Sequence, residues 1–289
     1  MTNAHEPRAY DIAGFRAAIG GIKTEDNPTL VKQKSRDFYW YSPVLKRELE
    51  PVSADLMVSP KSEDEVRATL AAAYKFGIPV TPRGGATGNY GQAMPLTGGV
   101  LLNLIEMNGI KSIAPGRVVT EPGALMIDVD RALAESGQEL RMFPSTRATA
   151  SIAGFVAGGS GGVGSIAWGG LRDFGNVIRL RVLTMEENPR ALELTGADLH
   201  KAVHAYGTNG IITEVEMPTA ARYDWVDVIM GFDRFEEAAA FGAALGAQDG
   251  IAKKLVTAVA APAPHAYFLR HRALIPENQS VVLAMIAPQ

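Results

Sequence analysis

A glycine-rich loop between two apolar runs constrains this chain more than any other feature. It extends from Val80 to Gly99 and is followed by Val100-Leu101-Leu102. Its closely spaced glycines are Gly84, Gly85, Gly88 and Gly91. Glycines leave main-chain N–H groups uncovered and permit positive φ, so that a loop can surround an anion. The alternative is a mobile surface loop, but loops of this length inside compact domains are uncommon unless they have a function. The loop therefore predicts a binding site for a phosphate or pyrophosphate.

Length and composition exclude several classes of protein. The 289 residues are enough for one large domain or two ordinary ones. With 47% hydrophobic residues, 20% charged residues and a net charge of -3, the chain lacks the basic excess of a nucleic-acid binder. It has no cysteine, which excludes disulfides, thiolate nucleophiles and cysteine-ligated metal centres.

The sequence also lacks targeting and membrane signals. No signal-peptide pattern is present at the N-terminus, and no apolar run approaches the roughly 20 residues of a membrane span. We therefore expect a cytoplasmic protein without a membrane span and without a nucleic-acid partner.

Helices and strands alternate up to about residue 220. The periodicities predict helices over residues 10–19, 63–74, 125–135 and 197–206, and strands over residues 56–58, 78–81, 99–104, 117–121, 177–184, 191–195 and 211–217. This order is typical of α/β or α+β layers. Past Pro218 the chain becomes rich in alanine, and a second domain is expected there. Its helix is predicted at Phe235–Leu245, and its last strand, Val281–Ile286, is expected to be an unpaired edge that favours association.

A second glycine-rich region, residues 145–165, matches two motifs without their context. Gly159–Gly164 fits the dinucleotide fingerprint, but no strand precedes it and no long helix follows it. Gly158–Gly162 fits the G-x-S-x-G motif of hydrolases, but the strand and helix that flank a nucleophile elbow are missing as well. We therefore expect neither a Rossmann site nor a serine hydrolase, and this region could instead hold the rest of a large phosphate-bearing ligand.

Three other groups are interpreted as structural. His200 and His204 have the helical spacing of metal ligands, but they lack a third ligand and fit a solvated helix face. Trp40 and Tyr41 are interpreted as packing, although they could stack on a planar ligand. The turn Arg270-His271-Arg272 could receive a carboxylate but fits a charged surface turn better. We expect no metal site.

Five segments, in order along the chain, resemble the FAD-binding domain of the vanillyl-alcohol oxidase and p-cresol methylhydroxylase flavoprotein family. They are Leu56–Val66, Pro82–Gly88, Thr149–Gly154, Trp168–Asp173 and Gly210–Thr213. The second of these is similar to the family's pyrophosphate loop. The most similar branch is that of the D-lactate dehydrogenase and glycolate oxidase flavoprotein subunits. Five ordered matches are far more specific than one glycine motif.

The resemblance implies an α+β fold, in which the two subdomains of a PCMH-type FAD-binding domain are followed by the start of an α+β cap domain. It implies an N-terminal helix and arm at residues 1–50, the FAD-binding domain at residues 51–220 and an incomplete cap, or substrate, domain at residues 221–289. In relatives a full cap domain supplies the contacts to the substrate.

The resemblance also implies FAD as the cofactor. FAD is expected to be non-covalent, because Thr87 stands where relatives that tether FAD through this loop have a histidine. The expected cofactor-binding residues are Pro82, Arg83, Gly84, Gly85, Ala86, Thr87, Gly88, Asn89, Gln92, Pro144, Ser145, Thr149, Ser151, Gly154, Gly158, Gly161, Ser165, Gly210 and Ile212. The sequence departs from the family's pattern at two places, where Phe143 replaces an aspartate and residues 184–189 replace an Ala-Asp-Gly turn. Because of these differences, the resemblance does not define the exact contacts to the ribityl chain and the flavin.

The implied function is that of an FAD-dependent oxidoreductase. It would transfer hydride from a small 2-hydroxy acid, such as D-lactate or glycolate, to flavin N5. The alternatives are a phenol or alcohol oxidoreductase of the same family and a non-catalytic FAD-binding subunit or fragment. The expected partners are the substrate and an electron acceptor, with a homo-oligomer or a partner subunit as open alternatives. No catalytic base is assigned.

Overall fold

The computed structural model describes residues 10–288. The first nine residues of the expected N-terminal arm, and Gln289, lie outside this range. The chain divides into two units. The first comprises the chain up to Leu140, Pro144–Ser160 and Leu171–Ala220, and the second comprises Arg141–Phe143, Gly161–Gly170 and the chain from Ala221.

The first unit begins with a small sheet and the helices around it. Its strands are β1 (Thr24–Glu25), β2 (Leu56–Val58), β3 (Val80–Arg83) and β4 (Val100–Asn103), in the order β1-β2-β4-β3. The strands β2, β4 and β3 are parallel, and β1 is antiparallel to β2. The helices of the unit up to this point are α1 (Ile12–Ile19), α2 (Pro28–Lys34), α3 (Pro43–Leu49) and α4 (Glu63–Phe76).

Helix α4 forms the crossover between the parallel strands β2 and β3. It begins where the Ser62 hydroxyl accepts a hydrogen bond from the Glu65 N–H, and it ends at Gly77, which adopts the left-handed conformation. Its buried residues Val66, Leu70 and Ala73 recur at helical spacing. They pack into the same core as the apolar residues of β2 and β4, so the crossover covers the sheet that ends at the glycine-rich loop.

A second, antiparallel sheet completes the first unit. Its strands are β5 (Ile110–Ala114), β6 (Arg117–Thr120), β7 (Gln138–Leu140), β8 (Arg179–Leu183), β9 (Ala191–Thr195) and β10 (Ile211–Ala221). The order is β5-β6-β10-β8-β9, and β7 also pairs with β10. Helices α5 (Met126–Ala134) and α6 (Ile152–Gly158) lie in the connection between β6 and β8. The fold is therefore α+β, as expected.

The second unit is a sheet covered on one face by a helix. Its elements are α7 (Ser165–Trp168), β11 (Val226–Phe232), α8 (Phe235–Gly246), β12 (Lys253–Val259), α9 (Ala263–Tyr267) and β13 (Ser280–Ile286). The strand order is β11-β13-β12, and both pairings are antiparallel. Helix α8 packs on the sheet at Gly242, where a Cβ atom would lie at ordinary contact distances of 3.7 and 3.8 Å from Val256 and Val282.

Two sequence expectations are wrong. Val281–Ile286 is not an unpaired edge, because β13 lies at the centre of its sheet and pairs with strands on both sides. Residues 197–206 do not form an α-helix: a 3-10 helix spans Gly196–Lys201 and turns follow it. His204 has φ of 61°, so it does not share a helical face with His200. Within residues 10–288, no helix is long and apolar enough to cross a membrane.

Candidate cofactor site

A cavity of about 130 Å³ in the first unit is lined by three stretches of chain that the sequence singled out. They are the glycine-rich loop, one face of α6 and the segment that leads into β10. The expected site residues that line the cavity are Pro82, Arg83, Gly84, Gly85, Ala86, Thr87, Gly88, Gln92, Ser151, Gly154, Gly158, Gly210 and Ile212. The fold thus brings together residues as far apart in the sequence as Pro82 and Ile212.

The glycines at the start of the loop permit a close approach to α6. A Cβ atom at Gly84 would overlap the Ser151 hydroxyl oxygen, and one at Gly85 would overlap the Thr149 carbonyl oxygen. Glycine was expected at these two positions partly because it permits positive φ, but neither Gly84 nor Gly85 has positive φ. The residue next to them, Ala86, is left-handed, with φ of 49°. The requirement at Gly84 and Gly85 is therefore the absence of a side chain.

Ser151 joins the loop to α6. Its Oγ accepts hydrogen bonds from the N–H groups of Gly85 and Gly154, each at 3.3 Å. The next two amides at the start of α6 are also bonded, Ile152 to the Ala124 carbonyl and Ala153 to the Pro122 carbonyl. The N-terminus of α6 therefore has few donors left for an anion.

The loop itself has main-chain N–H groups that are free to bind a ligand. Within the described part of the chain, the main-chain N–H groups of Ala86, Thr87 and Gly88 donate to no protein acceptor. These residues line the cavity and are only partly exposed. Because amides of this kind are rarely left unpaired, three in succession fit an anionic group such as a pyrophosphate.

Residues 36–38 support the loop through hydrogen bonds that no sequence motif indicated. The Arg83 Nη1 donates to the Arg36 carbonyl oxygen at 2.8 Å, and the Phe38 N–H donates to the Gly88 carbonyl oxygen at 2.8 Å. This segment had been assigned to an outlying arm. A cluster of hydrophobic residues beside an acidic one carries no motif, so the sequence offered no signal for these contacts.

Asp37 brings a buried carboxylate to the cavity wall. It is 5% exposed, its Oδ1 accepts from the Tyr39 N–H at 2.8 Å, and its Oδ2 has no hydrogen-bond partner among residues 10–288. Burial raises the pKa of Asp37, and nearby main-chain amides, those of residues 39 and 91–93, oppose the rise.

Arg83 brings the opposite charge. Burial lowers the pKa of its guanidinium, and the charge of Asp37 opposes this shift. An arginine still stays protonated in proteins. No carboxylate of the described chain forms an ion pair with Arg83. The cavity therefore offers one cation to an anionic ligand.

Several other residues line the cavity without having been predicted. They are Asp37, Ala93, Leu104, Pro122, Ala153, Ala157, Tyr206, Gly207 and Ile211. Conversely, Asn89, Pro144, Ser145 and Thr149 belong to the first unit but are not among the lining residues. Gly161 and Ser165 fall in the second unit. There the Ser165 Oγ accepts from the Gly162 N–H at 2.9 Å, so this hydroxyl closes a local turn.

The second unit has a depression of its own on the sheet face opposite α8. Its floor is apolar and includes Leu255, Leu283 and Met285, and its rim includes Arg270 and His271. The third residue of that turn, Arg272, donates to the carbonyl oxygens of residues 265 and 266 at 2.9 and 2.8 Å. These two hydrogen bonds stabilise the conformation of the turn.

Comparison with known proteins finds an FAD-binding family in this part of the chain. Residues 54–188 match the model of the FAD binding domain, a stretch that contains the glycine-rich loop and α6. FAD is therefore the cofactor of this domain, and the unbonded loop amides beside Arg83 fit its pyrophosphate.

Two curated relatives carry names that refer to small acids. The glycolate oxidase subunit GlcD of Escherichia coli is 31% identical over 192 residues, which are 63% of this chain and 38% of that protein. The mitochondrial D-lactate dehydrogenase [cytochrome] of Arabidopsis thaliana is 31% identical over 172 residues, which are 56% of this chain and 30% of that protein. The chain thus spans well under half of the length of these relatives.

A solved structure agrees over nearly the whole chain. Alkyldihydroxyacetonephosphate synthase matches with a TM-score of 0.74 and 18% identity, covering 98% of this chain and 57% of that one. At this identity the likeness concerns the fold alone, which is the PCMH-type FAD-binding fold.

Proposed function

We propose that this chain, whose residues 54–188 match the model of the FAD binding domain, is an FAD-dependent oxidoreductase that oxidises a small 2-hydroxy acid. The single observation that carries the proposal is the run of unbonded amides from Ala86 to Gly88 on the cavity wall. Such donors suit an anion, and the matched family names an anionic cofactor.

The loop residues bind the pyrophosphate of FAD in this proposal. The amides of Ala86, Thr87 and Gly88 donate to its oxygens, and Arg83 supplies the positive charge. Two contacts keep the loop in place, the Phe38 N–H on Gly88 and the Ser151 hydroxyl on Gly85. The cradle is therefore organised before the cofactor arrives, which lowers the entropic cost of binding.

Bound FAD supplies the redox chemistry, because the flavin ring accepts a hydride from a carbon that bears a hydroxyl group. The chain's contribution is to hold that ring in a fixed orientation by fixing the pyrophosphate on the loop. A shift of the cradle would therefore misplace the reacting atoms even if the cofactor stayed bound.

The relatives support the choice of substrate class. Glycolate and D-lactate, after which the two relatives are named, are both small 2-hydroxy acids. The matches cover 63% and 56% of this chain, so we extend the substrate class to it as a proposal.

The experiment is an anaerobic spectrum of the purified, FAD-loaded protein with a panel of glycolate, D-lactate, L-lactate and a phenolic alcohol. We expect glycolate or D-lactate to bleach the visible flavin absorption. Bleaching by the phenolic alcohol alone would favour the phenol or alcohol oxidoreductase instead. A yellow protein that no donor bleaches would favour a non-catalytic FAD-binding subunit, and a protein that cannot take up FAD would overturn the proposal.

A further inference from the structure

We propose that Tyr206 is a stacking surface for the adenine ring of FAD and that His204 positions it. This inference rests on the proposal that FAD lies along the cavity of the first unit. It does not depend on the identity of the substrate. Neither residue was among the expected site residues.

The backbone around Tyr206 is held in an unfavourable conformation. His204 has φ of 61° and Tyr206 has φ of 52°, and neither is a glycine, an asparagine or an aspartate. The left-handed region is unfavourable for such residues and persists where the surroundings impose it. Here the end of α6 imposes it, since the His204 N–H donates to the Val156 carbonyl and the Tyr206 N–H donates to the Ala157 carbonyl.

The two side chains form one unit. The His204 Nε2 lies 3.0 Å from the Tyr206 hydroxyl, and the ring centroids are 5.2 Å apart in an edge-on arrangement. His204 packs over Gly159, where a Cβ atom would overlap it. The ring of Tyr206 is therefore fixed at both its backbone and its hydroxyl. Yet Tyr206 is 40% exposed and lines the cavity, so its ring is not there to fill the core.

The length of α6 indicates which part of FAD the ring meets. Ser151 at the start of α6 bonds to the loop, and Ala157 near its end bonds to Tyr206. Seven helical residues span roughly 10 Å. A pyrophosphate on the loop amides therefore leaves room for one sugar before a planar group reaches Tyr206. One ribose separates the pyrophosphate from adenine, whereas the longer ribityl chain separates it from the flavin ring.

The surroundings of Tyr206 suit a neutral aromatic base. The cavity wall next to it in the chain consists of Gly207, Gly210, Ile211 and Ile212. Glycine main chain and isoleucine side chains form an apolar slot beside polar backbone groups. Stacking of a base on an aromatic ring strengthens nucleotide binding in other proteins.

The test compares Tyr206→Asn and His204→Gly with Tyr206→Phe, and uses Tyr74→Asn on the exposed face of α4 as the control. Asparagine and glycine tolerate the left-handed region, so these changes remove the rings without adding strain. Affinity is measured for FAD by titration and for ADP by competition, and the visible spectrum of the FAD-loaded protein is recorded.

We expect Tyr206→Asn to weaken FAD and ADP about 10-fold. His204→Gly and Tyr206→Phe should each weaken ADP about 3-fold, and the double variant no more than either alone, because both lose the same hydrogen bond. The flavin spectrum should not change, and Tyr74→Asn should bind as the unaltered protein does.

Unchanged ADP affinity in Tyr206→Asn would overturn the role of Tyr206. A shifted flavin spectrum in that variant would place the ring against the isoalloxazine and would overturn the assignment to adenine. If the unaltered protein binds neither FAD nor ADP, the placement of FAD itself fails, which is a different result from either of these.

Discussion

The Glu63 carboxylate accepts two hydrogen bonds from the Arg181 guanidinium, at 2.7 and 2.9 Å. Glu63 lies in the first turn of α4 and Arg181 lies on β8, so the pair connects the helix of the parallel sheet to the antiparallel sheet. The Thr213 hydroxyl on β10 donates to the same carboxylate at 2.7 Å. This contact joins the parallel sheet to the antiparallel sheet, and both sheets contribute residues to the cavity wall.

Replacing Glu63 with glutamine should destabilise the first unit in a pH-dependent way. The hydrogen bonds from Arg181 hold the pKa of Glu63 below its usual value, and burial opposes this shift. Since the folded pKa is lowered, the contribution is present above the unfolded pKa of about 4.3 and is lost as the pH falls through the folded pKa. We expect Glu63→Gln to cost about 2 kcal/mol at pH 7, measured by urea denaturation.

The matched control is Glu48→Gln, because Glu48 pairs with Arg47 on an exposed surface. Its effect should stay within about 0.5 kcal/mol. The cost of Glu63→Gln should shrink as the pH falls below about 4. An equal cost at pH 7 and at low pH would show that the charge of Glu63 does not stabilise the fold.

Adding a methyl group at Gly85 should disturb the cradle. The new Cβ would meet the main-chain carbonyl of Thr149, which cannot move as a flexible side chain can. We expect Gly85→Ala to weaken FAD binding at least 10-fold, on the order of 1.4 kcal/mol, with an unchanged far-ultraviolet circular dichroism spectrum. Gly21→Ala is the control, because a Cβ at Gly21 contacts nothing. Normal FAD content in Gly85→Ala would exclude the proposed position of the pyrophosphate.

Removing the charge of Arg83 should reduce the free energy of FAD binding more than it reduces the free energy of unfolding. Charge-assisted hydrogen bonds contribute about 1.5–3 kcal/mol, so Arg83→Gln should raise the Kd for FAD about 10- to 100-fold. Arg83→Lys should recover part of the loss, because it keeps the charge without the planar fork. Arg131→Gln, on the exposed side of α5, is the control. Isothermal titration is the measurement, and equal affinities for Arg83→Gln and Arg131→Gln would contradict the role of Arg83.

FAD should be released intact when the protein is denatured. Within residues 10–288, the side chains that line the cavity include neither histidine nor cysteine, and Thr87 lies among them. We therefore expect acid precipitation to leave all the yellow colour in the supernatant. The measurement is the flavin absorption of supernatant and washed pellet. A yellow pellet after washing would be evidence for a covalent bond.

Much of the first unit followed from local patterns. The helical spacing of the apolar residues predicted α4, and α5 and most strands were also close to their observed positions. Local chemistry determines these elements, because caps and apolar periodicity act within a few residues. The glycine-rich loop was recognised for the same reason.

Other features depend on partners that are distant in sequence. The support of the loop by residues 36–38 joins segments about 50 positions apart, and no motif marks it. The left-handed conformations of His204 and Tyr206 are imposed by the carbonyl groups of α6, so a helix was wrongly expected there. The position of β13 within its sheet likewise depends on pairing, which the apolar pattern of a strand does not specify.

The place of β13 at the centre of its sheet sets the order in which the second unit can form during synthesis. β11 and β12 each pair with β13, and neither pairs with the other. Both leave the ribosome before residues 280–286 do. Until β13 emerges, their main-chain edges therefore stay unpaired and the apolar face of α8 stays uncovered. A nascent chain of this kind is exposed to aggregation for longer than one whose neighbouring strands pair in sequence. A stop codon anywhere before Ser280 would leave two strands with nothing to join them.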